Sequence, residues 1–139
     1  MSLGGGLRLV LATNLLIAAA GVLAGGWIAL GAIHLPTLLC FAALSGLGLG
    51  AAGNAWNDIC DAAADRVNRP PEERPFAAGR IRRGTADVIV FLGALVGLAA
   101  AALVSGRQVL AALAALAVML AYSPHIKPRP VAGNIAVAL

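Results

Sequence analysis

Charged residues are scarce in this sequence. Only 12% of its 139 residues are Asp, Glu, Lys or Arg, whereas 60% are hydrophobic. A soluble domain of this size needs far more charge to cover its surface, so the composition excludes that class. We therefore predict an integral membrane protein.

Cysteine and acidic residues are also scarce. The two cysteines, Cys40 and Cys60, are predicted near opposite ends of one helix, about 30 Å apart, which excludes a disulfide between them. No Cys/His spacing of a zinc site and no nucleophile–base triad occurs. The acids that follow Asp65 are Glu72, Glu73 and Asp87. A second acidic cluster is therefore missing from this sequence.

Long apolar runs are abundant, and a membrane-spanning helix needs about 20 such residues. The runs cover residues 9–33, 35–56, 86–104 and 108–123, and a fifth begins at Val131. We predict an all-α, multi-spanning transmembrane helical bundle with four spans and the start of a fifth, in one domain over residues 1–139. Because the fifth run stops at Leu139, we expect the N-terminal half of a longer protein; the alternative is a last segment that lies at a membrane interface. A cleaved signal peptide is the alternative for the first run, but that run is longer than the usual apolar core of a signal peptide.

Basic residues predict the orientation in the membrane. The ones that would share one side are Arg8, Arg66, Arg69, Arg74, Arg80, Arg82, Arg83, Lys127 and Arg129. By the positive-inside rule, the N-terminus and the Asp/Arg-rich loop at about 57–84 are cytoplasmic, and we expect the cell inner membrane. The net charge of +4 then requires no nucleic-acid partner.

Small residues predict close helix packing. The G-x-x-x-G pairs are Gly21 with Gly25, Gly46 with Gly50, and Gly93 with Gly97. The segment "GLGAAG" at 48–53 matches a dinucleotide-binding pattern, but it lies within an apolar helical run, so we interpret it as packing. Asn14 in the first run either bonds to another helix or faces a polar pocket.

The segment "NAWNDICDAAAD" concentrates polar residues after the second run. If the helix continues to about Asp65, then Asn54, Asp58, Asp61 and Asp65 fall within a sector of roughly 60°, with Asn57 at its edge. Carboxylates this close repel one another, and the penalty grows near a membrane. A solvated helix end is the simpler interpretation, but a bound cation would remove the repulsion.

The chemistry of these residues favours a particular ligand. Oxygen donors prefer Mg²⁺, Ca²⁺ or Mn²⁺ to zinc, and Mg²⁺ commonly combines one or two carboxylates with substrate phosphate. The arginines that follow are suited to phosphate oxygens, and the apolar helices to a lipid tail. We therefore predict a lipid diphosphate substrate bound through Mg²⁺.

The segment "NDICDAAADRVNRPPEERPFAAGRI" resembles the first aspartate-rich motif of the UbiA superfamily of intramembrane prenyltransferases. The matching residues are Asn57, Asp58, Asp61, Asp65, Asn68, Arg69, Pro70, Arg74, Pro75 and Gly79. "AYSPHIKPRPVAGNIAVAL" is similar to a later family segment, through Tyr122, Lys127, Gly133 and Asn134. "LRLVLATNLL" resembles the first helix, with Asn14 at its polar position. The resemblance covers the whole chain, but only the N-terminal half of a typical member.

The resemblance implies transfer of a prenyl group from a prenyl diphosphate, through an allylic carbocation, to an aromatic or hydroxyl acceptor. The Asn-Arg-Pro element is similar to the chlorophyll-type and archaeal-lipid-type branches. The predicted catalytic residues are Asp58, Asp61 and Lys127, and the predicted metal ligands are Asp58, Asp61 and Asp65. The predicted substrate-binding residues are Asn14, Asn54, Asn57, Arg66, Arg69, Arg74 and Tyr122.

Two departures from the family pattern bear on function. The "RPPEERP" element is longer than usual, which could shift Arg74 relative to the phosphates. The second aspartate motif of the family is absent, so activity would require a missing C-terminal half, a dimer or a partner chain. The alternatives are a non-catalytic membrane scaffold or lipid-binding fragment, and a CDP-alcohol phosphotransferase, whose expected sequence elements are lacking.

Overall fold

Helices make up the fold. The structure, a computed structural model, describes residues 12–30, 37–68, 70 and 74–127. The helices are α1 (Ala12–Leu30), α2 (Thr37–Asn68), α3 (Arg83–Val104) and α4 (Gly106–Ala121), and a π-helical turn (Tyr122–Ile126) follows α4 directly. Within these described ranges there is no strand. The predicted all-α class is confirmed.

Several helices are long and apolar enough to cross a bilayer. They are Thr37–Asn68, Arg83–Val104 and Gly106–Pro124, and a shorter apolar stretch, Leu15–Ala29, lies in α1. Large apolar side chains such as Ile28, Phe91 and Leu110 are exposed on the outer surface of the bundle. Lipid tails are the solvent suited to such a surface, and the bundle is that of an integral membrane protein. The predicted fifth run lies outside the described residues.

Glycines bring α2 and α3 into backbone contact. A Cβ atom at Gly48 would lie 2.6 Å from the backbone nitrogen of Gly97 and 2.7 Å from the carbonyl oxygen of Gly93. The prediction for the Gly93/Gly97 pair is therefore confirmed, and Gly48 uses its missing side chain for packing, as interpreted for "GLGAAG". A Cβ atom at Gly21, Gly25 or Gly46 would meet nothing within 4 Å. Those three positions do not bring helix backbones together in this bundle.

The polar segment 57–84 begins as helix, because α2 continues without a break to Asn68. A compact turn over residues 74–80 then leads to α3. In this turn the N–H of Ala78 donates to the carbonyl of Arg74 at 3.0 Å, and Gly79 adopts a φ of +73°, which favours glycine. Phe76 of this turn packs against a buried apolar cluster that joins α2 to the start of α3, formed by Ala55, Ile59, Ile81 and Ala86. This packing places Arg74 beside the acidic end of α2.

The connection between α3 and α4 is a single extended residue, Ser105. Its hydroxyl accepts the N–H of Gln108 at 3.1 Å and so caps the first turn of α4. Such a tight connection reverses the chain, so α4 runs alongside α3 and returns to the end of the bundle where the acidic residues of α2 lie. The π-helical turn therefore arrives next to the aspartates.

Candidate active site

The aspartates lie on one stripe of α2, as the spacing predicts for a continuous helix. Asp58 is buried, with 4% of its surface exposed, whereas Asp61 and Asp65 are half-buried. Asn54, one turn before Asp58, is half-buried as well. The side chains thus lie inside a polar cluster rather than on a solvated helix end.

Arg74 bridges two of these carboxylates. One of its terminal nitrogens, Nη1, lies 2.5 Å from Oδ1 of Asp58, and its Nε lies 3.4 Å from Oδ2 of Asp65. A buried carboxylate is costly unless a cation and hydrogen bonds compensate it, so Arg74 supports the buried position of Asp58. The longer "RPPEERP" element therefore does not carry Arg74 away from the stripe.

Lys127 reaches the remaining carboxylate from the other side. Its Nζ lies 2.6 Å from Oδ2 of Asp61. The backbone N–H of Lys127 donates to the carbonyl of Tyr122 at 2.8 Å and thereby closes the π-helical turn. Tyr122 itself is half-buried at the start of that turn. The two predicted residues at the end of α4 are therefore adjacent to the acidic stripe.

The other predicted residues have different surroundings. Asn57 accepts a hydrogen bond from the hydroxyl of Ser123. Arg66 donates from Nε to the carbonyl of Ala77 at 3.1 Å, so it fastens the turn after α2 rather than facing the stripe. Arg69 and the side chain of Asn14 lie outside the described residues.

The sequence suggests Trp56 as an interfacial anchor that could also line the cavity, but it does not predict the two polar contacts found at this end of the bundle. Ser123 is buried and meets Asn57, and the indole N–H of Trp56 donates to the carbonyl of Leu120 at 3.0 Å. The available signal was Pro124, which cannot continue an ordinary helix and therefore marks an irregular turn. The sequence does not reveal which side chains stabilise that turn.

A divalent metal ion at this site would take its protein ligands from the aspartates of α2. In the part of the chain that the structure describes, no group of three or more His, Cys, Asp or Glu side chains is gathered closely enough to hold a metal ion. One guanidinium nevertheless contacts both Asp58 and Asp65, so the two carboxylates already share one cation. Two carboxylates completed by water and phosphate are the ligand set typical of Mg²⁺, so the residues fit such an ion.

Comparison with known proteins decides the family. Residues 14–139 match the model of the UbiA prenyltransferase family. The chain belongs to the UbiA prenyltransferase family. UbiA prenyltransferases are generally dependent on a divalent metal, which agrees with the carboxylates on α2.

Similar curated UbiA relatives are archaeal digeranylgeranylglyceryl phosphate synthases. That of Pyrococcus abyssi is 43% identical over 88 residues, which are 63% of this chain and 31% of the relative. That of Thermococcus gammatolerans is 42% identical over 119 residues, or 85% of this chain and 42% of the relative. That of Methanoculleus marisnigri is 33% identical over 138 residues, or 99% of this chain and 48% of the relative.

The chain thus spans less than half the length of these UbiA relatives. No solved structure gave a significant match. Membership in the UbiA family decides against the CDP-alcohol phosphotransferase alternative, which belongs to a different class of membrane lipid enzyme.

Proposed function

We propose that this chain forms the part of an intramembrane prenyltransferase that binds the diphosphate of a prenyl donor. One observation carries the proposal: the buried Asp58 and the half-buried Asp61 and Asp65 share one face of α2, with Arg74 and Lys127 in contact with them. Carboxylates suited to a metal ion and cationic side chains suited to phosphate thus meet at the end of an apolar helix.

The proposed metal is Mg²⁺, and its proposed ligands come from Asp58, Asp61 and Asp65, of which Asp58 and Asp65 already contact one shared cation. When bound, Mg²⁺ would neutralise charge that develops on the departing diphosphate. Arg74 and Lys127 would exchange their aspartate partners for phosphate oxygens, to which guanidinium and ammonium groups bind well. The carboxylates released in this exchange would become available to the metal.

The proposed reaction is substitution at the first carbon of the prenyl donor. The bond between this carbon and the diphosphate oxygen breaks, and the electron pair leaves with the diphosphate. A hydroxyl oxygen of the acceptor forms the new bond to carbon and releases its proton, which the departing diphosphate accepts. Preorganised positive charge at the diphosphate would be the main contribution of this chain, because it stabilises the leaving group most in the transition state. The apolar helices would keep water away from the carbocation.

We propose a hydroxyl acceptor on a glyceryl phosphate lipid. The relatives are named for a glyceryl phosphate that carries two geranylgeranyl groups. Such a product arises when a geranylgeranyl group is transferred from its diphosphate to a free glyceryl hydroxyl. This favours a hydroxyl over an aromatic acceptor, and geranylgeranyl diphosphate as the donor. By the positive-inside rule we place the site on the cytoplasmic side of the cell membrane.

Donor binding tests the proposal. Membranes that contain the protein are incubated with radiolabelled prenyl diphosphates of several chain lengths, with Mg²⁺ or with EDTA. We expect Mg²⁺-dependent binding, which Asp58→Ala and Asp61→Ala abolish because each loses a carboxylate of the stripe. Asp87→Ala is the matched control, since Asp87 pairs with Arg83 at the exposed start of α3.

Three results would separate the alternatives. Unchanged binding in both stripe variants would refute the assignment of those aspartates. Equal loss in the Asp87 variant would indicate a general effect of acidic charge. Binding without product, when a prenylated glyceryl phosphate is supplied, would favour the non-catalytic lipid-binding alternative.

A further inference from the structure

Pro124 interrupts the backbone hydrogen bonding at the end of α4. In a continuous α-helix, the N–H of residue 124 would bond to the carbonyl of Leu120, four residues earlier. Proline has no backbone N–H, so it cannot make this bond. The indole N–H of Trp56 donates to the carbonyl of Leu120 at 3.0 Å. A side chain from α2 thus replaces the donor that the proline removes.

The π-helical turn Tyr122–Ile126 begins at this interruption. Its hydrogen bonds span five residues instead of four, so the turn holds one residue more than an α-helical turn. The side chain of Lys127, which follows the turn, is consequently rotated by about 100° from the direction that a continuous α-helix would give it. Lys127, the next residue, points to Asp61 with a separation of 2.6 Å.

A second contact holds the same turn. Ser123 is buried, and its hydroxyl donates to the side-chain oxygen of Asn57. The contacts follow the same order along both segments: Trp56 with Leu120, Asn57 with Ser123, and Asp61 with Lys127. The end of α2 and the end of α4 therefore run in parallel and are joined at three successive levels.

We propose that Trp56 and Ser123 are positioning residues that hold the π-helical turn against α2, so that Lys127 is presented to the acidic stripe. The importance of this for donor binding rests on the proposed function, but the positioning itself does not. Trp56 differs in this respect from Trp27, which is 53% exposed on α1 and suits an interfacial anchor. The polar atom of Trp56 is bonded to a protein carbonyl instead of facing the lipid headgroups.

Lysine chemistry provides a direct test, because Lys127 is the only lysine in the 139 residues. An amine-reactive acylating reagent is added to the purified protein, and mass spectrometry follows the modification of Lys127. The contact of Nζ with Asp61, at 2.6 Å, holds the amine against the carboxylate and competes with its attack on the reagent, which slows this reaction. Asp61→Asn removes the partner and therefore sets the upper limit of the rate.

We expect Trp56→Phe, which keeps an aromatic ring but lacks the N–H, to speed acylation about fivefold, the effect of one lost hydrogen bond. We expect Ser123→Ala to act in the same direction, and it tests the proposal if Trp56→Phe fails to fold. Trp27→Phe is the matched control and should leave the rate unchanged. Wild-type rates in both the Trp56 and the Ser123 variants would overturn the proposal.

A double-mutant cycle connects the positioning to donor binding. Trp56→Phe should weaken the binding of geranylgeranyl diphosphate about fivefold in the wild-type background. In a Lys127→Ala background it should have no further effect, because Trp56 is proposed to act through Lys127. An equal loss of donor affinity in both backgrounds would refute the proposal that Trp56 acts on donor binding through Lys127. If the wild type does not bind the donor, the proposed function is refuted. The acylation rates would then still decide whether Trp56 and Ser123 position Lys127.

Discussion

Replacing Arg74 by Gln tests the balance of charge at the acidic stripe. Glutamine retains hydrogen-bond donors but removes the cation that Asp58 and Asp65 share. Removing one partner of a fully buried ion pair costs about 3–5 kcal/mol, because the other charge stays buried and unpaired. The side chain of Asp58 is 5% exposed and that of Arg74 is 27% exposed. Solvent therefore screens part of the effect, and we expect a loss of about 2 kcal/mol in the free energy of unfolding.

Thermal unfolding in detergent, with EDTA or with Mg²⁺, measures this loss. A loss of this size lowers the Tm by roughly 5 °C or more in a chain of this length. We expect the decrease in EDTA and a partial recovery in Mg²⁺, because a divalent ion between the carboxylates would replace the missing charge. The Tm of the wild type should rise less in Mg²⁺, because Arg74 already contacts the carboxylates of Asp58 and Asp65.

The matched control for this experiment is Arg83→Gln. Arg83 contacts Asp87 at 2.9 Å, but the two side chains are 60% and 50% exposed. Exposed pairs contribute little, so we expect a change of less than about 0.5 kcal/mol. Equal losses of unfolding free energy in Arg74→Gln and Arg83→Gln would refute the claim that the buried ion pair stabilises the protein more than the exposed one. A Tm of the Arg74 variant that is insensitive to Mg²⁺ would refute the proposed metal site.

Two further predictions concern the helices that support the site. Gly48→Ala places a Cβ 2.6 Å from the backbone nitrogen of Gly97 and should destabilise the bundle by about 1–3 kcal/mol. Gly46→Ala, two residues earlier and in open space, should stabilise the bundle by about 0.5–1 kcal/mol. A similar decrease of the Tm in both variants would contradict the close contact of Gly48 with α3. Ser105→Ala should cost about 1 kcal/mol because it removes the cap of α4, whereas Ser105→Asp retains an acceptor for the N–H of Gln108 and should unfold near the wild-type temperature.

The sequence was sufficient where the relevant interactions are local. Apolar runs of adequate length predicted the spanning helices, and the spacing of Asp58, Asp61 and Asp65 predicted that they share one stripe if α2 continues beyond Trp56, as it does. Both predictions depend only on helical periodicity, which is a property of neighbouring residues. The closeness of Gly93 and Gly97 to another helix also followed from their spacing, because two small residues four positions apart create a flat surface.

The sequence was insufficient where distant segments meet. Spacing alone could not pair Asp61 with Lys127, which is 66 positions away, because this contact depends on how α3 and α4 return the chain. Arg74 was predicted to bind phosphate, but the sequence could not show that its guanidinium contacts both Asp58 and Asp65. The sequence also could not distinguish the glycines at the α2–α3 crossing from those with open space, such as Gly46. That distinction depends on which face of each helix meets a partner.

The length of α2 has a consequence for how a lipid substrate arrives. The helix begins at Thr37, and Asp58 lies ~32 Å farther along its axis. That distance is about the thickness of the hydrocarbon layer of a bilayer. If Thr37 lies near one edge of that layer, the length of the helix places its aspartates at the opposite edge, at the depth of the lipid headgroups. The proposed prenyl diphosphate donor would then approach by lateral diffusion within one leaflet, because its anionic end would already lie at the depth of the acids and would not have to cross the hydrocarbon layer.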